Sequence, residues 1–413
     1  MGSFQRAFEE QIAEAPRILL IHALKAKLSA LMVGEAEQIA PLIADHIIAG
    51  KTSNFVFDDG GSDDGKVISL ELDQMEIERL EKSIDTFLSS IRPQLDNIVN
   101  NVSNETFKKL KENLSAELHL QDSEFSGFKQ RLHDRWGTAF DSLRLLLTAA
   151  REYGISCLEE NEGADEAFDR VIPRVILRLF FRACQVFSEI IVLMQSGFAD
   201  GAMARWRTLH EIHVTSVILT EGGSEIRSRY LAHQAVEARA SMSVYQECCK
   251  SLGYRPISKR KTQAIERQFD KVVKQYGKDF AKPFGWASDY LKIKQPTFRD
   301  LEKRADKSLM RSHYKFASQA IHASASFYRL GLLDGEDVLL SGPSNAGFVE
   351  PGQNAAHTLT QMCAILMEWK KDIDHIVMMN IIVRISREIP KPLAEAARAL
   401  RRDHRIQKAK AAT

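Results

Sequence analysis

Along most of the chain, apolar residues recur at intervals of three and four, the spacing of an amphipathic helix. Proline is scarce and glycine is concentrated in a few loops. The pattern predicts an N-terminal helical region to about residue 49. It then breaks at "SNFVFDDGGSDDGKVISLEL", where short β-prone runs flank an Asp/Gly cluster. That break reads as a β-hairpin or an exposed loop near residues 54–72. Helical spacing resumes at Met75, behind "DQME" (Asp73 to Glu76), which has the form of a capping box. Ile77, Leu80, Ile84, Phe87 and Ile91 follow as a seam, Pro93 interrupts it, and Phe107, Leu110, Leu114 and Leu118 take it up again. Two readings are open for this arm. It is an antiparallel helical hairpin, which short heptad runs favour, or a dimerisation element.

A loop near "HLQDSEFSG" is expected to separate the arm from a body of at least five long helices. Two loops cross that body, "GYRPISKRK" and the glycine-rich stretch from Leu333 to Gln353, long enough to act as a lid. The chain ends in "AARALRRDHRIQKAKAAT", which reads as a basic, solvated tail. The expected fold is therefore all-α: a multi-helix bundle with one small hairpin or loop insertion. It is organised as an N-terminal region with its arm (1–128), a helical domain (129–389) and the basic tail (390–413).

Composition narrows the function classes. With 413 residues, 44% of them hydrophobic, the chain can bury a large core. A net charge of +1 gives no global attraction to nucleic acid or membrane, so any binding patch is local. The cysteines (Cys157, Cys184, Cys248, Cys249 and Cys363) have no CxxC spacing and read as reduced residues of a cytoplasmic protein. The N-terminus lacks the basic flank and apolar run of a signal peptide. The most apolar segment, "VILRLFFRACQVFSEIIVLM", carries Arg178, Arg182 and Glu189, which argues against a membrane span.

Several familiar motifs fail. "GGSDDGKV" approaches a P-loop, but Val67 stands where Ser or Thr should hold magnesium, and Asp63 and Asp64 would repel phosphate. A di-iron bundle needs paired ExxH motifs, and the nearest approach is "DIDH", with Asp372 three residues before His375. Neither HExxH nor GxSxG occurs. The sequence thus predicts neither metal nor cofactor.

Three polar rows remain. Arg178, Arg182, Gln185 and Glu189 form a narrow stripe on an otherwise apolar helix; it is either paired inside the protein or faces solvent. Arg207 and Glu211 share a face four residues apart, with His210 beside them and Thr215 continuing the row. His213 lies about 240° round from Arg207 and points elsewhere. Tyr314, Ser318 and His322 fall at four-residue steps on a helix whose alanines allow close packing. Arg-to-His spacings within "RWRTLHEIH" (Arg205 to His213) are those of a HEPN ribonuclease helix. The same spacing recurs from Arg17, Arg227 and Arg398, so it is weak evidence.

"GFADGAMARWRTLHEIHVTSVIL", "YGKDFAKPFGWAS" and "YKFASQAIHASAS" together resemble the DUF5677 family of helical bacterial proteins, over roughly 129–388. The resemblance selects Arg207, Glu211, Trp286, Tyr314, Ser318 and His322. The family's all-helical form is similar to HEPN proteins, many of which are ribonucleases of toxin or antiphage systems. Two functions follow. In the first, the protein is a metal-independent ribonuclease or phosphodiesterase with RNA or a nucleotide as partner. His322 is then the acid or base and Arg207 the phosphate clamp. Arg182 is a second cation, paired along its stripe with Glu189, while Glu211 orients Arg207 or His322. Tyr314 and Ser318 donate hydrogen bonds. In the second, it is a non-enzymatic binding or scaffold protein held together by a buried ion-pair network. A homodimer fits both.

Overall fold

The computed structural model describes residues 3–31, 33, 35–51, 55, 69–162, 172–322, 329–333 and 339–411. Every regular element among them is helical: α1 (Ser3–Ala30), α2 (Ala36–Ile48), α3 (Gln74–Glu162), α4 (Arg174–Gln195), α5 (Ala199–Glu221), α6 (Gly223–Ala232), α7 (Gln234–Cys248), α8 (Lys259–Tyr276), α9 (Ser288–Leu291), α10 (Phe298–Arg304), α11 (Arg311–Ile321), α12 (Val349–Met367), α13 (Ile373–Glu388) and α14 (Pro390–Ala411). Short 3-10 turns precede α9 and α11. The chain divides into two compact units, Met1–Leu120 and Gln121–Thr413. Most of the hairpin expected near 54–72 lies outside the described residues. The part that is described, Phe55 and residues 69–72, forms no strand.

In the first unit α1 and α2 pack through small and apolar residues at four-residue steps. Leu20, Leu24 and Leu28 meet Ala36, Ala40 and Ala44. Arg17 pairs with Asp45 through two bonds of 2.6 and 2.9 Å, and Lys25 pairs with Glu37. One residue number rises as its partner's falls, which is the signature of antiparallel helices. Asp73 and Glu76 do form the capping box: each backbone N–H is held by the other's carboxylate, at 2.8 and 2.7 Å. The helix that follows departs from expectation. Pro93 lies inside α3, and so does the whole of "HLQDSEFSG", so neither a hairpin nor a separating loop forms. An interior proline removes one backbone bond and costs about 3 kcal/mol, a local penalty that long flanking runs of good helix formers can carry. Phe107, Leu110, Leu114 and Leu118 of the resumed seam are exposed.

The second unit has a large aromatic and aliphatic core drawn from α3, α4, α5 and α12, with further layers from α11, α13 and α14. Trp136 and Phe140 of α3 meet Phe348 edge-on at 5.1 and 5.8 Å. Gly154 is there because α4 comes very close: a Cβ at this position would lie 2.3 Å from the Phe180 ring. Trp206 of α5 is fully buried, and its indole N–H donates to Thr358 Oγ1 at 3.0 Å. The expected basic tail is α14. Leu393, Ala396 and Leu400 bury one of its faces, and Asp403 pairs with Arg135 at 2.9 Å, so only the remaining faces carry solvated charge. Four of the five cysteines are buried and Cys248 is exposed. Among the described residues, no helix is long and apolar enough to cross a membrane.

Candidate functional site

The consecutive residues Arg205, Trp206 and Arg207 reach three different parts of the molecule, because each helical residue turns the side chain by about 100°. Trp206 enters the core, Arg207 turns toward α11, and Arg205 turns toward α4.

On the α11 side the structure brings together three of the predicted residues. Arg207 Nε donates to Glu211 Oε1 at 3.1 Å, and the Tyr314 hydroxyl donates to the same oxygen at 2.5 Å. The Arg207 guanidinium also sits 4.6 Å from the centre of the Tyr314 ring. Burial, reinforced by Glu211, raises the Tyr314 pKa and keeps the phenol protonated as a donor. Burial works against the charge of Arg207, but Tyr314 and Glu211 outweigh it and hold its pKa above the ordinary value.

Directly behind lies a second, buried layer. His210 Nε2 pairs with Glu302 Oε1 at 3.1 Å, both side chains being only 1% exposed. Glu302 also accepts from Arg311 at 2.6 Å. His210 stacks on Trp206 at 5.4 Å, and Phe298 stacks on Tyr314 at 4.9 Å. The short α10 that carries Glu302 is started by a capping box between Thr297 and Asp300. Beyond His210, burial, with Lys307 and His210 contributing, pushes the His213 pKa down to about 3. The same groups lower that of His357, burial again being the largest cause.

Other predicted residues lie apart from this cluster. Helix α11 ends at Ile321, and His322 is its exposed cap residue with extended backbone (φ −99°, ψ 151°). The helical row Tyr314–Ser318–His322 is therefore cut before its last member. Only the backbone N–H of His322 continues the helical bonding, to Ser318 O at 3.2 Å. Ser318 returns its hydroxyl to Tyr314 O at 2.9 Å, a bond within its own helix. Trp286 is 4% exposed and packs edge-on to Tyr230 at 5.1 Å, while its carbonyl accepts from Arg229. The Gly-Trp pair has a packing reason: a Cβ on Gly285 would lie 2.3 Å from the Phe280 carbonyl oxygen.

On the α4 side the narrow polar stripe faces solvent. Arg178, Arg182 and Gln185 are exposed and Glu189 half-exposed, while the rest of the helix is largely buried. Arg182 bonds Gln185 at 2.7 Å and lies 3.7 Å from Glu189, which pairs with Arg205 at 2.5 Å. Glu189 and Arg205 border a cavity of about 700 Å³, walled by Ile155, Phe181 and Cys184 and reached by Arg151. Arg205 Nε is buried there without a hydrogen-bond partner.

Sequence spacing found Arg207, Glu211 and Tyr314, marked Arg205 only for its distance from the histidines, and passed over Glu302 and Arg311. Glu302 lies 92 residues from His210, too far along the chain for any local pattern to link them. Among the described residues, the one grouping of His, Cys, Asp and Glu close enough to share an ion is elsewhere, at Glu160, Asp372 and His375.

No curated protein and no solved structure matches the chain. Residues 174–337, from the start of α4 to beyond α11, match the model of DUF5677, a family of unknown function.

Proposed function

We propose that this protein is a helical binding module, and that the Arg207–Glu211–Tyr314 and His210–Glu302–Arg311 rows serve as the polar network that fixes its packing. One observation carries the reading: these groups spend their hydrogen bonds on one another, and His322, the expected acid or base, is not among them. A nuclease centre needs unspent donors and a base aimed at one reacting atom. The cavity between α3, α4 and α5 is the better candidate for binding. Its apolar walls with Arg151 and Arg205 suit a small ligand with an apolar body and one anionic group.

The probe for this is anilinonaphthalene sulfonate, titrated against the native full chain by fluorescence. Saturable binding that falls at least tenfold in Val192→Trp, which fills the cavity, and in Arg205→Met supports the reading. Equal binding by both folded variants sinks it.

A second reading has its own observation in favour. Burial and the charge of Lys307 hold His357 below its ordinary pKa, so at neutral pH it is unprotonated and able to act as a base beside one cation, Lys307. On that reading the chain is a HEPN-like, metal-independent ribonuclease or phosphodiesterase. It would act in the cytoplasm as a homodimer, as a defence or toxin-type effector, with His357 rather than His322 as the base. RNA left intact by concentrated protein, or cut equally well by His357→Ala, removes it. Products with 2′,3′-cyclic phosphate ends that vanish in that variant support it.

A further inference from the structure

The segment "DIDH" is the N-terminus of α13, and the structure gives it a setting its spacing did not reveal. Asp372 is the N-cap of the helix. Its Oδ1 accepts both the His375 backbone N–H, at 3.0 Å, and the ring Nδ1–H, at 2.8 Å. In the neutral ring that bond puts the proton on Nδ1 and leaves Nε2 with its lone pair. His375 is 97% buried, and Nε2 has no hydrogen-bond partner. It faces Oε2 of Glu160, near the end of α3, at 3.5 Å. The other Glu160 oxygen accepts from Ser156 at 3.2 Å, which holds the carboxylate in place.

A lone pair aimed at a carboxylate oxygen is repulsive unless something positive, a second ring proton or a cation, lies between them. In tetrahedral coordination, ligands about 2.0–2.1 Å from zinc stand about 3.3 Å apart, close to the separation seen here. One ligand atom from each of Glu160, Asp372 and His375 lies within 4.8 Å of the other two. A nitrogen with two carboxylates is a donor set for a first-row divalent ion, and the acceptor on Nδ1 is the usual second partner of a metal-bound imidazole. Lys370 Nζ now sits 3.1 Å from the same Glu160 oxygen. Its ammonium supplies the positive charge at this spot and competes for it.

We propose that Glu160, Asp372 and His375 form a binding site for Zn²⁺. Glu160 Oε2 and His375 Nε2 are direct ligands. Asp372 orients the imidazole and contributes carboxylate charge, and Lys370 is displaced when the ion enters. The site lies outside the segment that matches the DUF5677 model, and it stands or falls independently of the binding cavity.

The test is isothermal titration of ZnCl₂ into the chelator-treated full chain, with circular dichroism confirming the fold of each variant. One saturable site is expected. It should weaken at least tenfold in Glu160→Gln and in His375→Gln, and tighten several-fold in Lys370→Met, which changes no ligand. Cobalt in the same site should show the visible absorption of a tetrahedral complex. Should buried His375→Gln fail to fold, half-exposed Glu160→Gln and Lys370→Met decide the matter. Absence of saturable binding, or Zn²⁺ uptake unchanged in Glu160→Gln and Lys370→Met, overturns the proposal.

Discussion

The polar row of α4 and the His210–Glu302–Arg311 row at α5 have opposite physical situations. On α4, Arg182 and Glu189 are 45% and 36% exposed, and water screens their attraction. At the junction of α5, α10 and α11, His210 and Glu302 are each 1% exposed, and His210 depends on Glu302, which Arg311 also holds, for its hydrogen bond. The first row is free to exchange partners with a ligand at the adjoining cavity. The second can only hold the helices in register. Spacing along a helix says that charges share a face; it does not say whether that face is wet.

Truncating the buried row should have the largest effect. Glu302→Ala strands Arg311 and His210 and should cost about 3–5 kcal/mol, measured from urea unfolding by circular dichroism. A loss below 1 kcal/mol would mean that water reaches the pair.

Next comes the pH dependence of the buried region. His213 stays neutral in the folded protein down to about pH 3, while its ordinary pKa is 6.5. Between these values only the unfolded chain takes up the proton. Stability contributed by the neutral, buried ring is fully present above pH 6.5 and is lost as pH falls, by about 1.4 kcal/mol per unit. Carboxylates such as Asp372, whose pKa is lowered by hydrogen bonds from His375, add to the acid loss. The contribution of His213 is therefore read as the difference in slope between wild type and His213→Gln. Identical slopes would show that the ring is protonated in the native state.

Tyr314→Phe removes only the hydroxyl bonded to Glu211 and should cost about 1 kcal/mol, with Arg207 still paired. The smallest effect belongs to the exposed row. Glu189→Gln should change the unfolding free energy by less than about 1 kcal/mol. In the dye titration it should instead alter affinity at the cavity, by leaving Arg205 without its counter-ion. A stability loss as large as that of Glu302→Ala would erase the contrast between the two rows.

Much of the helical layout was legible. The three-four spacing marked the long helices, and the Asp73–Glu76 capping box appears where its four residues predict it, because a cap is a contact within one turn. The joining of Arg207 to Glu211 was equally local, at four residues. Expectation failed where a local rule met a longer-range balance. Pro93 is carried within α3, and the basic tail is α14, whose Leu393 and Leu400 find an apolar partner surface. The row on α11 fails at its end: the helix stops one residue before His322.

The sequence by itself determined that this protein is helical, where most of its helices run, and which residues share a helical face, since these depend on neighbours within a turn or two. The tertiary structure alone decided which polar row is buried, which arginine meets which carboxylate, and that Asp372 and His375 face Glu160 from another helix. Burial and charge pairing are properties of the space between helices, and the residues that fill that space lie as much as 268 positions apart, as Arg135 and Asp403 do.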